Sequence, residues 1–312
     1  MSTNLDPREL WRYYEKLLPS DSPGESSSAL PLNFSTGSFL CRSAAGAPFF
    51  LIPLIDPSGR DAFRLKYVTF DFDRKFEVRT ETHTVEGLYI SIGCSPEIPE
   101  LHKFFVQSIS AILQTSAAES SLELSDRLRT LFSSQATSSS ESTRGLWGEL
   151  LYIRSCNRPR EAVFAWHRNP LALYDFEFED RSVEIKTTVG NKRSHSFSYS
   201  QLQHAKPDDQ LVSVMLRQGD SGETAQSLID DIVGMLDPRS AGVFLEKLLP
   251  ILGSQDFNLD DESFVLATTV ENTKVFKLAD VKCPSLDVTG KGLITGLKIT
   301  IDLSNEAGLP LF

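Results

Sequence analysis

Asp175, Glu184 and Lys186 fall within one stretch, Tyr174-Asp-Phe-Glu-Phe-Glu-Asp-Arg-Ser-Val-Glu-Ile-Lys-Thr-Thr188. Asp180-Arg181 separates two alternating apolar runs and reads as a tight hairpin turn. On the second strand Glu184 and Lys186 are two apart, so they project from one face while Val183 and Ile185 project from the other. Asp175 opens the first strand, where a hairpin twist brings its carboxylate beside Glu184. Asp180, in the turn, is less well placed for that role. Two carboxylates so close repel unless a proton or cation sits between them. A hard, oxygen-liganded ion such as Mg²⁺, with Mn²⁺ as a substitute, resolves the repulsion and keeps several waters. Lys186 would then orient a water and oppose charge on a phosphorane-like transition state, which is the chemistry of phosphodiester hydrolysis. Taken alone, Glu-x-Lys on a strand is a solvated face with a cross-strand ion pair.

More than that dipeptide pattern is present. The run Gly145-Leu-Trp-Gly-Glu149-Leu150, then Trp166, Tyr174-Asp175-Phe176 and Val183-Glu-Ile-Lys-Thr-Thr188, resembles the PD-(D/E)xK nuclease superfamily. Within it, the resemblance is to a bacterial restriction- and defence-associated family that tends to occur beside DNA-modification and helicase genes. It covers Arg144 to Lys206. Tyr174-Asp175 stands where the first motif usually reads Pro-Asp. The resemblance implies a restriction-endonuclease-like α/β core, a mixed sheet flanked by helices, that cuts DNA with Mg²⁺. Asp175 and Glu184 would hold the ion with the Ile185 carbonyl, Lys186 would orient the nucleophilic water, and Glu149 would complete the shell. Gln201 would contact substrate phosphate near the metal, and Thr187 could do the same. Plainer readings stand beside these. Glu149 could pair with Arg144 or Arg154 on a helix surface, Gln201 could face water at a helix start, and Thr187 could merely finish a strand.

The elements that must position these residues follow from pattern. A helix over 142–155 carries Glu149 beside its buried stripe, Leu146, Leu150 and Ile153. Strands are expected at 174–179, 182–188, 195–199 and 211–216, helices at 225–236 and 241–249, and further strands over 263–303. Upstream, Asp6-Pro7-Arg8-Glu9 opens a helix with a cap, and a Ser- and Pro-rich loop runs from Pro19 to Pro31. An antiparallel, half-buried sheet is expected over 35–93, with strands at 38–42, 48–54, 63–72, 75–82 and 87–93. Helices follow at about 99–113 and 122–132, and the polar run Ser133 to Ser140 is the linker candidate. The expected organisation is a β-rich domain over 1–118, a helix and linker over 119–140, a nuclease core over 141–220 and an α/β extension over 221–312.

Composition sets the limits. The 312 residues carry 31 basic and 42 acidic side chains, a net charge of −11, which argues against a purely electrostatic nucleic-acid binder. Charge is uneven, however. Over 181–206 there are five basic residues, Arg181, Lys186, Lys192, Arg193 and Lys206, and one acid, Glu184, and five arginines precede them. Such a stripe, with Lys192, Arg193 and His195 as DNA-contacting candidates, is what backbone phosphate binding requires. A solvated loop over 190–195 fits the same residues. Cys41, Cys94, Cys156 and Cys283 form no Cys-x-x-Cys pair and read as free thiols of a reducing cytoplasm. No apolar run is long enough to span a membrane, and no secretory signal opens the chain. Gly290-Lys291-Gly292 with Gly296 is no phosphate loop, and no Gly-x-Ser-x-Gly elbow is present. Two other functions remain open: a catalytically silent DNA-binding or scaffold subunit, and a non-nucleic-acid interaction protein. Double-strand cutting would call for a homodimer, and the family implies helicase, ATPase or methyltransferase partners.

Overall fold

The structure is a computed structural model that describes residues 7–20, 26–32, 37–116, 118–133, 143–169, 171–254, 259, 262–281 and 297–311. The expected cap Asp6, residues 134–140 of the linker, Cys283 and the glycines at 290–296 lie outside the described residues. The architecture is mixed α/β, and the chain divides into two compact units, Met1–Ala136 with Leu236–Asp256, and Thr137–Met235 with Phe257–Phe312. The helix Pro238–Ser254 thus belongs with the N-terminal part of the chain, although it follows residue 220.

In the first unit six strands run in the order Ser26–Pro31, Phe39–Arg42, Pro48–Leu54, Thr84–Cys94, Val68–Arg79, Phe63–Arg64. Ser26–Pro31 also pairs in parallel with Val68–Arg79, so the ladder closes on itself and shields strand edges that would otherwise be exposed. This strand lies within the expected loop Pro19 to Pro31. Serine and proline gave it the composition of a loop, and pairing along both edges orders it nonetheless. The two strands expected at 63–72 and 75–82 are a short strand at Phe63–Arg64 and one long strand, Val68–Arg79, whose pairing shifts register between Asp71 and Arg74. Helices His102–Thr115 and Ser121–Ser133 pack with Pro238–Ser254.

The second unit holds a five-stranded sheet in the order Leu309–Pro310, Lys274–Lys277, Gln210–Met215, Ser182–Thr188, Phe176–Glu177. Ser182–Thr188 and Gln210–Met215 are parallel, and the other neighbours are antiparallel. One face, carrying Ile185, Thr187 and Val214, receives the helix Thr143–Ser155, on which Ala225–Met235 packs. On the other face Leu211 and Phe276 join Tyr174, Phe197 and Leu202 in an apolar cluster. Phe197 comes from the strand Ser194–Ser198, which pairs with Lys298–Asp302, and Leu202 from the short helix Tyr199–Gln203. Of the strands expected over 263–303, Lys274–Lys277 and Lys298–Asp302 form, and residues 282–296 lie outside the described residues. Leu266–Glu271 is a helix, in which the β-branched Thr268, Thr269 and Val270 are overridden by tertiary packing that buries Thr269. The helix Pro159–Ala165 went unmarked in the sequence pattern, though Pro159 at its first turn and Glu161 behind it are ordinary start signals.

Candidate active site

The hairpin forms at the expected turn. Phe176 pairs with Val183 and Glu177 with Ser182, and the Phe178 N–H donates to the Arg181 carbonyl at 2.9 Å. Continued by one residue, that register sets Asp175 opposite Glu184. There the ladder gives way to a side chain: Asp175 Oδ2 accepts the Ile185 N–H at 2.7 Å. The Asp175 carboxylate is thereby fixed against the strand that carries Glu184 and Lys186.

Glu184 is 2% exposed. Its Oε1 accepts from Lys186 Nζ at 2.6 Å and from Gln201 Nε2 at 2.7 Å. Its Oε2 is buried and has no hydrogen-bond partner. Burial pushes the Asp175 carboxyl well above the usual carboxylate range, and the charges of Glu184 and Glu149 push it further; the Ile185 N–H and Lys186 oppose them. Burial also raises Glu184, against the pull of Lys186 and Gln201. Burial alone would lower the Lys186 ammonium, but Glu184, Asp175 and Glu149 together hold it above its ordinary value. The ammonium also lies 5.8 Å from the centre of the Phe197 ring.

Glu149 reaches this cluster from the helix on the opposite face of the sheet. That helix lies close because residue 148 is glycine. A Cβ there would stand 2.3 Å from Thr187 Cγ2 and 3.3 Å from Ile185 Cγ2. Glu149 is 4% exposed, and its Oε2 accepts from Trp166 Nε1 at 2.6 Å and faces His167 Nε2 at 3.0 Å. Trp166 bridges to Phe176, and the His167 N–H donates to the Asp175 carbonyl at 2.9 Å, so residues 166 and 167 run beside the start of the hairpin. The structure therefore gathers Asp175, Glu184, Lys186, Glu149 and Gln201 in one place. It adds Trp166 and His167, of which Trp166 lay in the motif run and His167 carried no periodic or motif signal.

Several expected contacts fall differently. Gln201 does not point away as a free phosphate donor. Its Nε2 holds Glu184 and the Leu173 carbonyl, while its Oε1 and the Ser198 hydroxyl form a capping box. Thr187 turns its methyl toward Gly148. Arg193 and His195 are buried, so neither is a surface phosphate ligand. Arg193 donates to the Ser213 carbonyl and hydroxyl and to the Asn272 carbonyl, and His195 Nε2 meets Ser213 Oγ at 2.7 Å. Burial, with Lys186 and Arg193 nearby, lowers the His195 imidazole to about 4. Lys192 is exposed. The arginines before the hairpin are partly neutralised, because Arg144, Arg154 and Arg158 pair with Glu262, Asp231 and Glu161.

Among the described residues no three His, Cys, Asp or Glu side chains form a ready-made metal cage. The donor set nevertheless suits a hard divalent ion, which takes one or two carboxylates and fills its shell with water. The partnerless, buried Glu184 Oε2 is an acceptor of the right kind, and the neighbouring carboxylates lack enough compensating charge. Cys41, Cys94 and Cys156 are free thiols, and no helix among the described residues is long and apolar enough to cross a membrane.

Comparison with curated proteins and with solved structures finds no match. A family model matches residues 103–288, more than half of the chain and the whole of the cluster just described. By that match the chain belongs to the family described as "Putative PD-(D/E)XK family member, (DUF4420)".

Proposed function

We propose that the chain is a Mg²⁺-dependent DNA endonuclease on a PD-(D/E)xK core, the nuclease subunit of a prokaryotic restriction-like, anti-phage system. The carrying observation is the Glu184 carboxylate, buried, bonded to Lys186 through one oxygen and partnerless at the other. Membership of the family supports a nuclease-type activity. Asp175 and Glu184, with the Ile185 carbonyl and Glu149, would hold the cation. When bound, the cation supplies Lewis-acid polarisation of the scissile phosphate. Lys186 keeps its proton, because three carboxylates hold it above its ordinary value. It therefore acts as a donor, orienting the attacking water and meeting negative charge as it builds on the phosphoryl oxygens. Gln201 acts one step back, keeping Glu184 Oε1 in place. Exposed Lys192 is the backbone-phosphate contact of the original set that stays available. Two copies about a two-fold axis would cut both strands, and helicase, ATPase or methyltransferase partners would deliver the DNA.

A plasmid-nicking assay with Mg²⁺ or Mn²⁺, with and without EDTA, tests this on the wild type and Lys186→Ala. Metal-dependent nicking by the wild type that is lost in Lys186→Ala supports the assignment. Equal activity in both overturns it, and salt-sensitive DNA binding without cleavage by the wild type favours a silent DNA-binding subunit.

A further inference from the structure

His167 has a backbone φ of 40°, a left-handed conformation that a histidine adopts only at a cost of about 1–3 kcal/mol. Both ends of the residue are committed. Its N–H donates to the Asp175 carbonyl at 2.9 Å, and its Nε2 faces Glu149 Oε2 at 3.0 Å. Trp166 Nε1, which can only donate, meets the same Oε2 at 2.6 Å; the oxygen of an ionised carboxylate only accepts, so against ionised Glu149 it is His167 Nε2 that carries the hydrogen. Both contacts converge on one oxygen of the Glu149 carboxylate.

We infer that His167 is a positioning residue that sets the Glu149 carboxylate relative to Asp175, and so fixes the spacing of the cation site. The inference rests on the metal-binding reading above. Its physical content is that two acids on separate elements, a helix and a hairpin, are brought into register by one residue. The left-handed backbone lets the main chain hold the hairpin while the ring reaches the helix. A partner that orients a ligand in this way is typically worth about ten- to a hundredfold in metal affinity.

Calorimetric titration of the full chain with Mn²⁺ tests it. Asn and Gly both accept the left-handed backbone, and neither reaches Glu149, so His167→Asn and His167→Gly are compared with His167→Gln, which restores a donor at similar reach. The expected result is Mn²⁺ binding weakened about tenfold or more in the Asn and Gly variants. His167→Gln should recover part of that loss, and Glu149→Gln/His167→Asn should bind no more weakly than Glu149→Gln. Wild-type affinity in His167→Asn and His167→Gly overturns the inference alone, as does a full His167→Asn effect that persists when Glu149 is already glutamine. No Mn²⁺ binding by the wild type overturns the metal-binding reading and this inference with it.

Discussion

Lys186 Nζ stands 2.6 Å from Glu184 Oε1, and Glu184 is almost wholly buried. The ammonium is therefore the counter-charge that lets a buried carboxylate ionise. Its removal leaves an uncompensated charge, a loss that runs to several kcal/mol for a fully buried pair; with the Lys186 side chain 26% exposed, about 2 kcal/mol is expected. Lys186→Met should lower stability by that amount in urea titrations with EDTA present. Glu184→Gln/Lys186→Met should recover most of it, because a neutral amide needs no counter-ion. A double variant as unstable as the single one would show that lysine packing, not charge, sets the effect.

Asp175 should behave in the opposite sense. Burial and two neighbouring carboxylates raise its folded-state pKa above the unfolded value of about 4. A carboxyl shifted in that direction contributes stability fully present below about pH 4 and lost as pH rises through the raised value. Wherever it ionises in the folded state, its charge is thus a cost. Asp175→Asn keeps an acceptor for the Ile185 N–H and removes the charge. With EDTA present it should be more stable than the wild type at pH 8, by about 1 kcal/mol, with a smaller loss of Tm between pH 5 and pH 8, while cleavage is abolished. A lower Tm at pH 8 with an unchanged pH dependence would refute the account.

The closeness of helix and strand at Gly148 yields a steric prediction. Gly148→Ala places a methyl group 2.3 Å from Thr187 Cγ2, a distance no packed core tolerates, so the helix bearing Glu149 must shift. About 1–3 kcal/mol of stability should be lost, with weakened cleavage because Glu149 moves with its helix. Thr187→Ser deletes the opposing methyl. The double variant should therefore regain much of both losses, and the same Tm in Gly148→Ala with or without Thr187→Ser would place the clash elsewhere.

The local part of this site was legible because strand geometry is local. A period of two put Glu184 and Lys186 on one face, and the Asp180-Arg181 turn fixed a register that sets Asp175 opposite Glu184. Glu149 was legible only through its motif, since nothing in helical periodicity says which residue a helix acid will meet. His167 was invisible, because its role depends on a bend that brings residues 166 and 167 beside residues 175 and 176. The charge stripe misled for a related reason. Sequence counts basic residues, but Arg193 turns inward onto Ser213 and Asn272, and Arg144 and Arg154 find carboxylates far along the chain.

Arg193 and Lys192 are adjacent in sequence and should give opposite phenotypes. Lys192 is exposed. Lys192→Ala should leave Tm unchanged, weaken DNA binding for all sequences, and reduce the slope of log affinity against log salt by about 1. Arg193 is 5% exposed and satisfies the Ser213 and Asn272 carbonyls. Arg193→Ala should lower stability by about 2–3 kcal/mol through those orphaned acceptors and leave the salt slope of the folded protein intact. Fluorescence anisotropy on a short duplex across a salt series, run alongside thermal melts, reads both quantities. If Arg193→Ala instead flattens the salt slope without moving Tm, the arginine faces DNA and its inward placement is wrong.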